Sequence, residues 1–194
     1  MRRVLAVALV LLLAACSGGG GGSAPAAAPT SNAFANSKFA ACPAAVGAVP
    51  GDSPLRSVEP LLCMDPSGEQ VTIGAPTGRP VVLNLWGSWC PPCGKEMPSF
   101  VRLAAAAGDR LSVVGVNTSD DAARAVAAAD ELDVRFANVF DRGEEVRRAL
   151  GVTALPATVF VSATGEVVHV YRGTPLTDAT LTALVRQHLG VTVE

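Results

Sequence analysis

Residues 81–86, Val-Val-Leu-Asn-Leu-Trp, form an almost wholly apolar run that stops at Gly87. Two cysteines follow, Cys90 and Cys93, separated only by Pro91 and Pro92. An apolar run this short, bounded by glycine, is expected to be a central strand covered on both faces. From Met97, apolar residues recur at Phe100, Val101 and Ala104 with helical spacing. The dithiol therefore stands where a buried strand ends and a helix begins, and a strand buried on both sides requires helices above and below it.

The rest of the chain supplies them. Leu111–Val116 is a second buried-strand candidate. Thr118 and Asp121 suit a capping box for an alanine-rich helix running to about Leu132. Gly143–Leu150 reads as a shorter helical piece, and Ala157–Val161 and Glu166–Tyr171 flank a Thr164-Gly165 turn as a hairpin. Leu181, Leu184, Val185, His188 and Leu189 keep an amphipathic helical period that Gly190 stops. The expectation is an α/β domain: a central mixed sheet flanked by helices on both faces. With six Phe, two Trp and one Tyr in 194 residues, aliphatic side chains and alanine must fill its core. Fifteen Lys and Arg against seventeen Asp and Glu give a net charge of −2, which excludes the basic footprint of an electrostatic nucleic-acid binder.

The N-terminus has a different character. Arg2 and Arg3 precede an unbroken apolar run from Val4 to Ala15, too short to span a bilayer comfortably. Leu13-Ala14-Ala15-Cys16 resembles the lipobox of bacterial lipoproteins, which implies a signal peptide over 1–15 and a diacylglycerol-modified Cys16. Residues 16–38, rich in Gly, Ala, Ser and Pro, read as a flexible tether. The folded domain is expected over 39–194, with a core from about 61 and an N-terminal extension over 39–60.

The chemistry rests on Trp89-Cys90-Pro91-Pro92-Cys93. A helix N-terminus favours a thiolate over a thiol, and a lowered thiol pKa raises the nucleophilic fraction at neutral pH. A second cysteine beyond two intervening residues can resolve the mixed disulfide made by the first. Zinc would require a further Cys or His pair at ligand spacing, and the only histidines are His169 and His188. His169 lies in an alternating strand-like run and His188 on the apolar side of the last helix, so neither is assigned a metal.

The stretch Asn84-Leu85-Trp86-Gly87-Ser88-Trp89-Cys90-Pro91-Pro92-Cys93-Gly94-Lys95-Glu96-Met97-Pro98, with Leu155-Pro156-Ala157-Thr158, resembles the TlpA/ResA branch of extracytoplasmic thiol-disulfide oxidoreductases of the thioredoxin-like superfamily. The resemblance covers about Leu61 to Glu194. It implies a thioredoxin-like fold, Cys90 as nucleophile, Cys93 as resolving thiol, and no cofactor. It also implies Glu96 as the acidic group that relays or tunes the second thiol's proton, and Pro156 as a cis proline that receives substrate backbone. Trp86 and Trp89 are expected to pack around the active-site loop. Asn84 stands where cytoplasmic thioredoxins carry a buried Asp, which points to Glu96 as the acid–base group. Pro91 and Pro92 lack amide hydrogens, so two donors to the Cys90 thiolate are missing, which favours a reductant over a strong oxidant.

Outside the cytoplasm, Cys42 and Cys63 are most simply a structural disulfide. Closing that loop is worth roughly 3 kcal/mol in the chain-entropy model. The competing idea is a second redox pair that exchanges with Cys90 and Cys93. The leading expectation is a monomeric reductase, lipid-anchored on the extracytoplasmic face of the membrane. It would act on protein disulfides, including apocytochrome c thiols, and be recycled by a membrane electron donor of CcdA or DsbD type. Alternatives are a DsbE-like oxidase and a copper-handling protein, since two thiolates suit Cu(I). A peroxiredoxin fits less well, because Gly87 replaces the Thr expected three residues before its cysteine.

Overall fold

The computed structural model describes residues 31–193, so the signal-peptide reading, Cys16 and most of the tether lie outside the described residues. Seven strands form one sheet: β1 (Leu61–Cys63), β2 (Gln70–Val71), β3 (Val81–Trp86), β4 (Ser112–Thr118), β5 (Ala137–Asp141), β6 (Ala157–Val161) and β7 (Val167–Arg172). Among the described residues four α-helices accompany them: α1 (Pro91–Ala107), α2 (Ala122–Glu131), α3 (Glu145–Ala149) and α4 (Asp178–Leu189).

The sheet order is β2-β1-β5-β4-β3-β6-β7, with β5, β4 and β3 parallel and the other pairings antiparallel. Every residue of β3 is buried, as its almost wholly apolar run predicts, the polar Asn84 included. Val82 and Trp86 pack into a cluster with Phe100 of α1, Ala125 and Ala129 of α2, and Leu181 and Val185 of α4. Val81, Leu83 and Leu85 face the opposite way, toward Val146 beside Leu150 and Leu55. Helices thus cover both faces of a mixed sheet. Among the described residues, no helix is long and apolar enough to cross a membrane.

Three details differ from the sequence reading. The tether expected over 16–38 gives way to packed structure before its end: Phe34 is fully buried and meets Phe140 edge-to-face, with ring centroids 5.6 Å apart. Ser37 Oγ nearby donates to the Met64 carbonyl at 2.6 Å. One aromatic among small residues leaves no trace in composition but finds a complementary ring. Thr118 does not cap α2: Asp121 alone does, accepting from the amides of Ala123 and Arg124, while Thr118 lies inside β4 and donates to Asp141. The strand β5 carries Asn138 and Asp141 at fully buried positions, and those polar residues break the apolar pattern by which strands are recognised.

The N-terminal extension is strapped to the domain. Cys42 and Cys63 are joined by a disulfide, Ala40 N–H donates to Arg135 O at 2.7 Å, and Val46 N–H donates to Pro76 O at 2.8 Å. At the far edge, His169 of β7 and His188 of α4 stack face to face with centroids 4.0 Å apart, beside Phe160. Burial, the neighbouring His188 and Arg172 hold the His169 pKa below its ordinary value, in that order of importance.

Phe34→Ala tests where the packed domain begins. It is expected to destabilise the fold by about 3 kcal/mol, the usual cost of deleting a buried phenyl ring. Urea unfolding checks this, and an unchanged midpoint would return Phe34 to the tether.

Candidate active site

β3 and β4 run parallel and end at the same edge of the sheet, where Trp86 pairs with Asn117. The loops after parallel strands are the usual place for a site in such sheets. The chain leaving β3 turns through Gly87 and delivers Cys90 as the N-cap of α1. Its extended backbone and the two prolines in the first turn suit that start. Cys90 and Cys93 form a disulfide, with Cα atoms 5.4 Å apart. The Cys93 N–H donates to Cys90 Sγ at 3.3 Å. With Pro91 and Pro92 unable to donate, this amide is the donor that the first turn still offers the sulfur.

The loop is held by a carboxylate that the sequence reading did not single out. Asp120, 8% exposed, accepts from Ser88 N–H at 2.6 Å, Ser88 Oγ at 2.7 Å, Asn117 Nδ2 at 2.9 Å and Asp121 N–H at 2.8 Å. Ser119 beside it adopts a positive φ of 53°, and its carbonyl accepts from Trp89 Nε1 at 2.9 Å. The β4–α2 loop therefore grips the dithiol loop at both Ser88 and Trp89. Acidic residues after a strand are common, so only its contacts distinguish Asp120 from a solvated neighbour.

The two tryptophans divide the work. Trp86 is 1% exposed and donates through Nε1 to Asn138 Oδ1 at 2.8 Å, so it belongs to the core. Trp89 packs on the active-site loop from outside and stays 50% exposed. Its ring covers Gly87, where an added Cβ would come within 2.7 Å of the indole nitrogen. On the other flank, Pro156 is buried and the Leu155–Pro156 bond is cis. Leu85 pairs with Ala157, which sets Pro156 beside the end of β3 that carries the dithiol.

Glu96 is 1% exposed, one turn along α1 from Cys93. Oε1 accepts from Asn84 Nδ2 at 2.7 Å, and Oε2 accepts from Leu176 N–H at 2.9 Å. Burial outweighs both hydrogen bonds and pushes the Glu96 pKa up to about 7. A carboxylic acid at that value can take or give a proton near neutrality. Among the described residues, no three His, Cys, Asp or Glu side chains converge as a metal-binding group.

The chain matches the redoxin family over residues 24–185, most of its length. It belongs to the redoxin family. Among curated redoxin relatives, the thiol-disulfide oxidoreductase ResA of Halalkalibacterium halodurans is 32% identical over 110 residues, 56% of this chain and 62% of that protein. The chain thus aligns with less than two thirds of that relative's length. Among solved structures, MTB dsbF in its mixed oxidized and reduced forms gives a TM-score of 0.60 at 28% identity, over 72% of this chain and 98% of that one. A secreted Mycobacterium tuberculosis disulfide oxidoreductase homologous to E. coli DsbE gives 0.54 at 26%, over 62% and 90%. These neighbours establish the fold as thioredoxin-like.

A consequence for stability follows from Glu96. The folded state holds its proton up to about pH 7, whereas the unfolded chain releases it near 4.5. The contribution of Glu96 to folding is therefore most favourable below pH 4.5 and is lost as pH rises toward 7, by roughly 3 kcal/mol in all. Glu96→Gln is expected to remove this slope. Unfolding free energies of both proteins across pH 4–9 check it, and parallel curves would show that Glu96 titrates as an ordinary carboxylate.

Proposed function

We propose that this redoxin is a thiol-disulfide oxidoreductase that exchanges disulfides with protein substrates through Cys90 and Cys93. The observation that carries the reading is the bridged pair at the N-terminus of α1, with Cys90 Sγ capped by the Cys93 amide. In the reduced protein, the Cys90 thiolate attacks a substrate disulfide. A mixed disulfide forms, and one substrate sulfur leaves and takes a proton. Cys93 then gives its proton to ionised Glu96 and attacks Cys90 Sγ. The second substrate sulfur departs as a thiolate and takes the proton that Glu96 holds, and the Cys90–Cys93 disulfide remains. The substrate is reduced by two electrons and the protein oxidised by two.

Trp89, half-exposed beside Cys90, and the Pro156 loop flank the dithiol and offer a surface for an extended substrate segment. We assign the reductant direction, because the first turn of α1 offers the Cys90 sulfur the Cys93 amide but none from residues 91 and 92. We propose cytochrome c maturation as the process it serves, as the sequence resemblance to the TlpA/ResA branch implies. The Arg2–Cys16 leader supports export, lipidation at Cys16 and anchoring on the extracytoplasmic face, with the dithiol recycled by a membrane donor of CcdA or DsbD type. The Cys42–Cys63 bridge serves as a structural clasp in this scheme.

Cys90→Ser is expected to abolish exchange, whereas Cys93→Ser accumulates mixed disulfides with substrate proteins, detected by non-reducing electrophoresis. Absence of any adduct with Cys93→Ser would count against the assigned order of the thiols. The direction is read from the reduction potential of the pair: a value near about −270 mV matches a reductant, and one near about −120 mV an oxidant.

A further inference from the structure

Two buried polar atoms behind the dithiol have no hydrogen-bond partner: Asn84 Oδ1 and Thr158 Oγ1. Buried polar side chains are almost always satisfied, so two orphans this close in the fold require an account. Both residues are fully buried. They are directly paired across the antiparallel strands β3 and β6, so their side chains leave the same face of the sheet. Side chains so paired stand with Cβ atoms about 5 Å apart, within reach of a hydrogen bond after a small rotation. On the other side of Asn84, its amide nitrogen donates to Glu96 Oε1 at 2.7 Å. Glu96, Asn84 and Thr158 therefore form a line through the core.

We infer that Asn84 is a positioning residue whose side-chain amide turns over with the proton on Glu96. With Glu96 ionised, Asn84 Nδ2 donates to Oε1, as observed, and Oδ1 accepts a hydrogen bond from the Thr158 hydroxyl once the small rotation is made. With Glu96 protonated at Oε1, the amide is reversed. Oε1–H now donates to Asn84 Oδ1, and Nδ2 donates to Thr158 Oγ1. Oε2 keeps the Leu176 amide in both states. The residue types suit the task. An amide presents a donor and an acceptor that exchange places on a half-turn, and a hydroxyl can donate or accept. Aspartate at position 84 would add a second buried charge, and an apolar residue would leave Oε1 unpaired in both states.

Among the described residues, the neighbouring titratable groups are engaged elsewhere. Tyr171 of β7, the partner of Thr158 on its other side, donates its hydroxyl to the Thr174 carbonyl. Asp178, in the first turn of α4, is held by Arg102 of α1. His188 of α4 stacks on His169 of β7. Cys93, on the same helix, is in the disulfide.

The test uses the full chain, isotopically labelled and oxidised, with no substrate present, so its outcome is independent of whether disulfide exchange is found. The Glu96 carboxyl carbon gives the midpoint of titration. Nuclear Overhauser contacts from the Asn84 amide protons give their orientation. At pH 9 these protons are expected beside the Glu96 side chain, and at pH 5 beside the Thr158 methyl, with the switch at the Glu96 midpoint. In Glu96→Gln the Leu176 amide holds the glutamine carbonyl oxygen and leaves the NH2 group as a permanent donor toward Asn84, so the Asn84 amide should stay beside Thr158 at both pH values. Asn84→Ala should raise the Glu96 midpoint by about one unit, a tenfold change in the acid constant, through loss of the donor to the ionised form. Amide protons that keep the Glu96 contact at both ends of the titration would overturn the inference, as would an unturned Asn84 amide in the Glu96→Gln protein. Because the orientation is read in the unmodified chain, the result holds even if Asn84→Ala fails to fold.

Discussion

A polar side chain in the middle of a strand with no exposed face has to find its hydrogen bonds inside the core. Asn84 finds one on α1, and much of the architecture around the dithiol depends on that contact. Glu96 answers Asn84 with one oxygen and the Leu176 amide with the other, so a single carboxyl group ties the central strand, the active-site helix and the segment entering α4. Burial that would be ruinous for an isolated carboxylate is tolerable because the group can take up a proton. The cost of packing and the ability to manage protons are one property seen from two sides.

A second carboxylate is used in the opposite way. Asp120 is nearly as buried as Glu96 but accepts four hydrogen bonds, two from Ser88. It fixes geometry: the loop carrying Trp89 and Cys90 cannot move without breaking a charge-assisted contact. Glu96 has only two donors and is titratable near neutrality, whereas Asp120 is anchored from both loops. One acid is suited to moving protons and the other to holding a backbone in place.

The parts legible from the amino-acid order were those with a local signature. The almost wholly apolar run of β3, the spacing of Cys90 and Cys93, the prolines opening α1 and the glycine closing α4 each state their structure within a few residues. What stayed hidden depended on partners distant in the chain. Phe34 looks like one aromatic in a linker until Phe140 arrives to meet it. The strand β5 is masked by Asn138 and Asp141, whose burial makes sense only once Trp86 donates to one and the Thr118 hydroxyl to the other. Gly115 belongs here too: a Cβ there would collide with Asn138 Oδ1, so the glycine on β4 exists for a side chain on β5. Asp120 and the stacked histidines were invisible for the same reason, since their meaning lies wholly in contacts.

The placement of the two tryptophans has an optical consequence. They are the only ones in the chain, and both lie within four residues of Cys90, one in the core under the loop and the other half in solvent beside it. A disulfide is an effective quencher of a neighbouring indole. All tryptophan emission from this protein therefore originates around its dithiol, and the two indoles sit in environments different enough to be separated by wavelength and by accessibility to external quenchers. Opening and closing of the bridge can accordingly be followed in real time without a label, with a buried reporter for the core side and an exposed one for whatever docks against it.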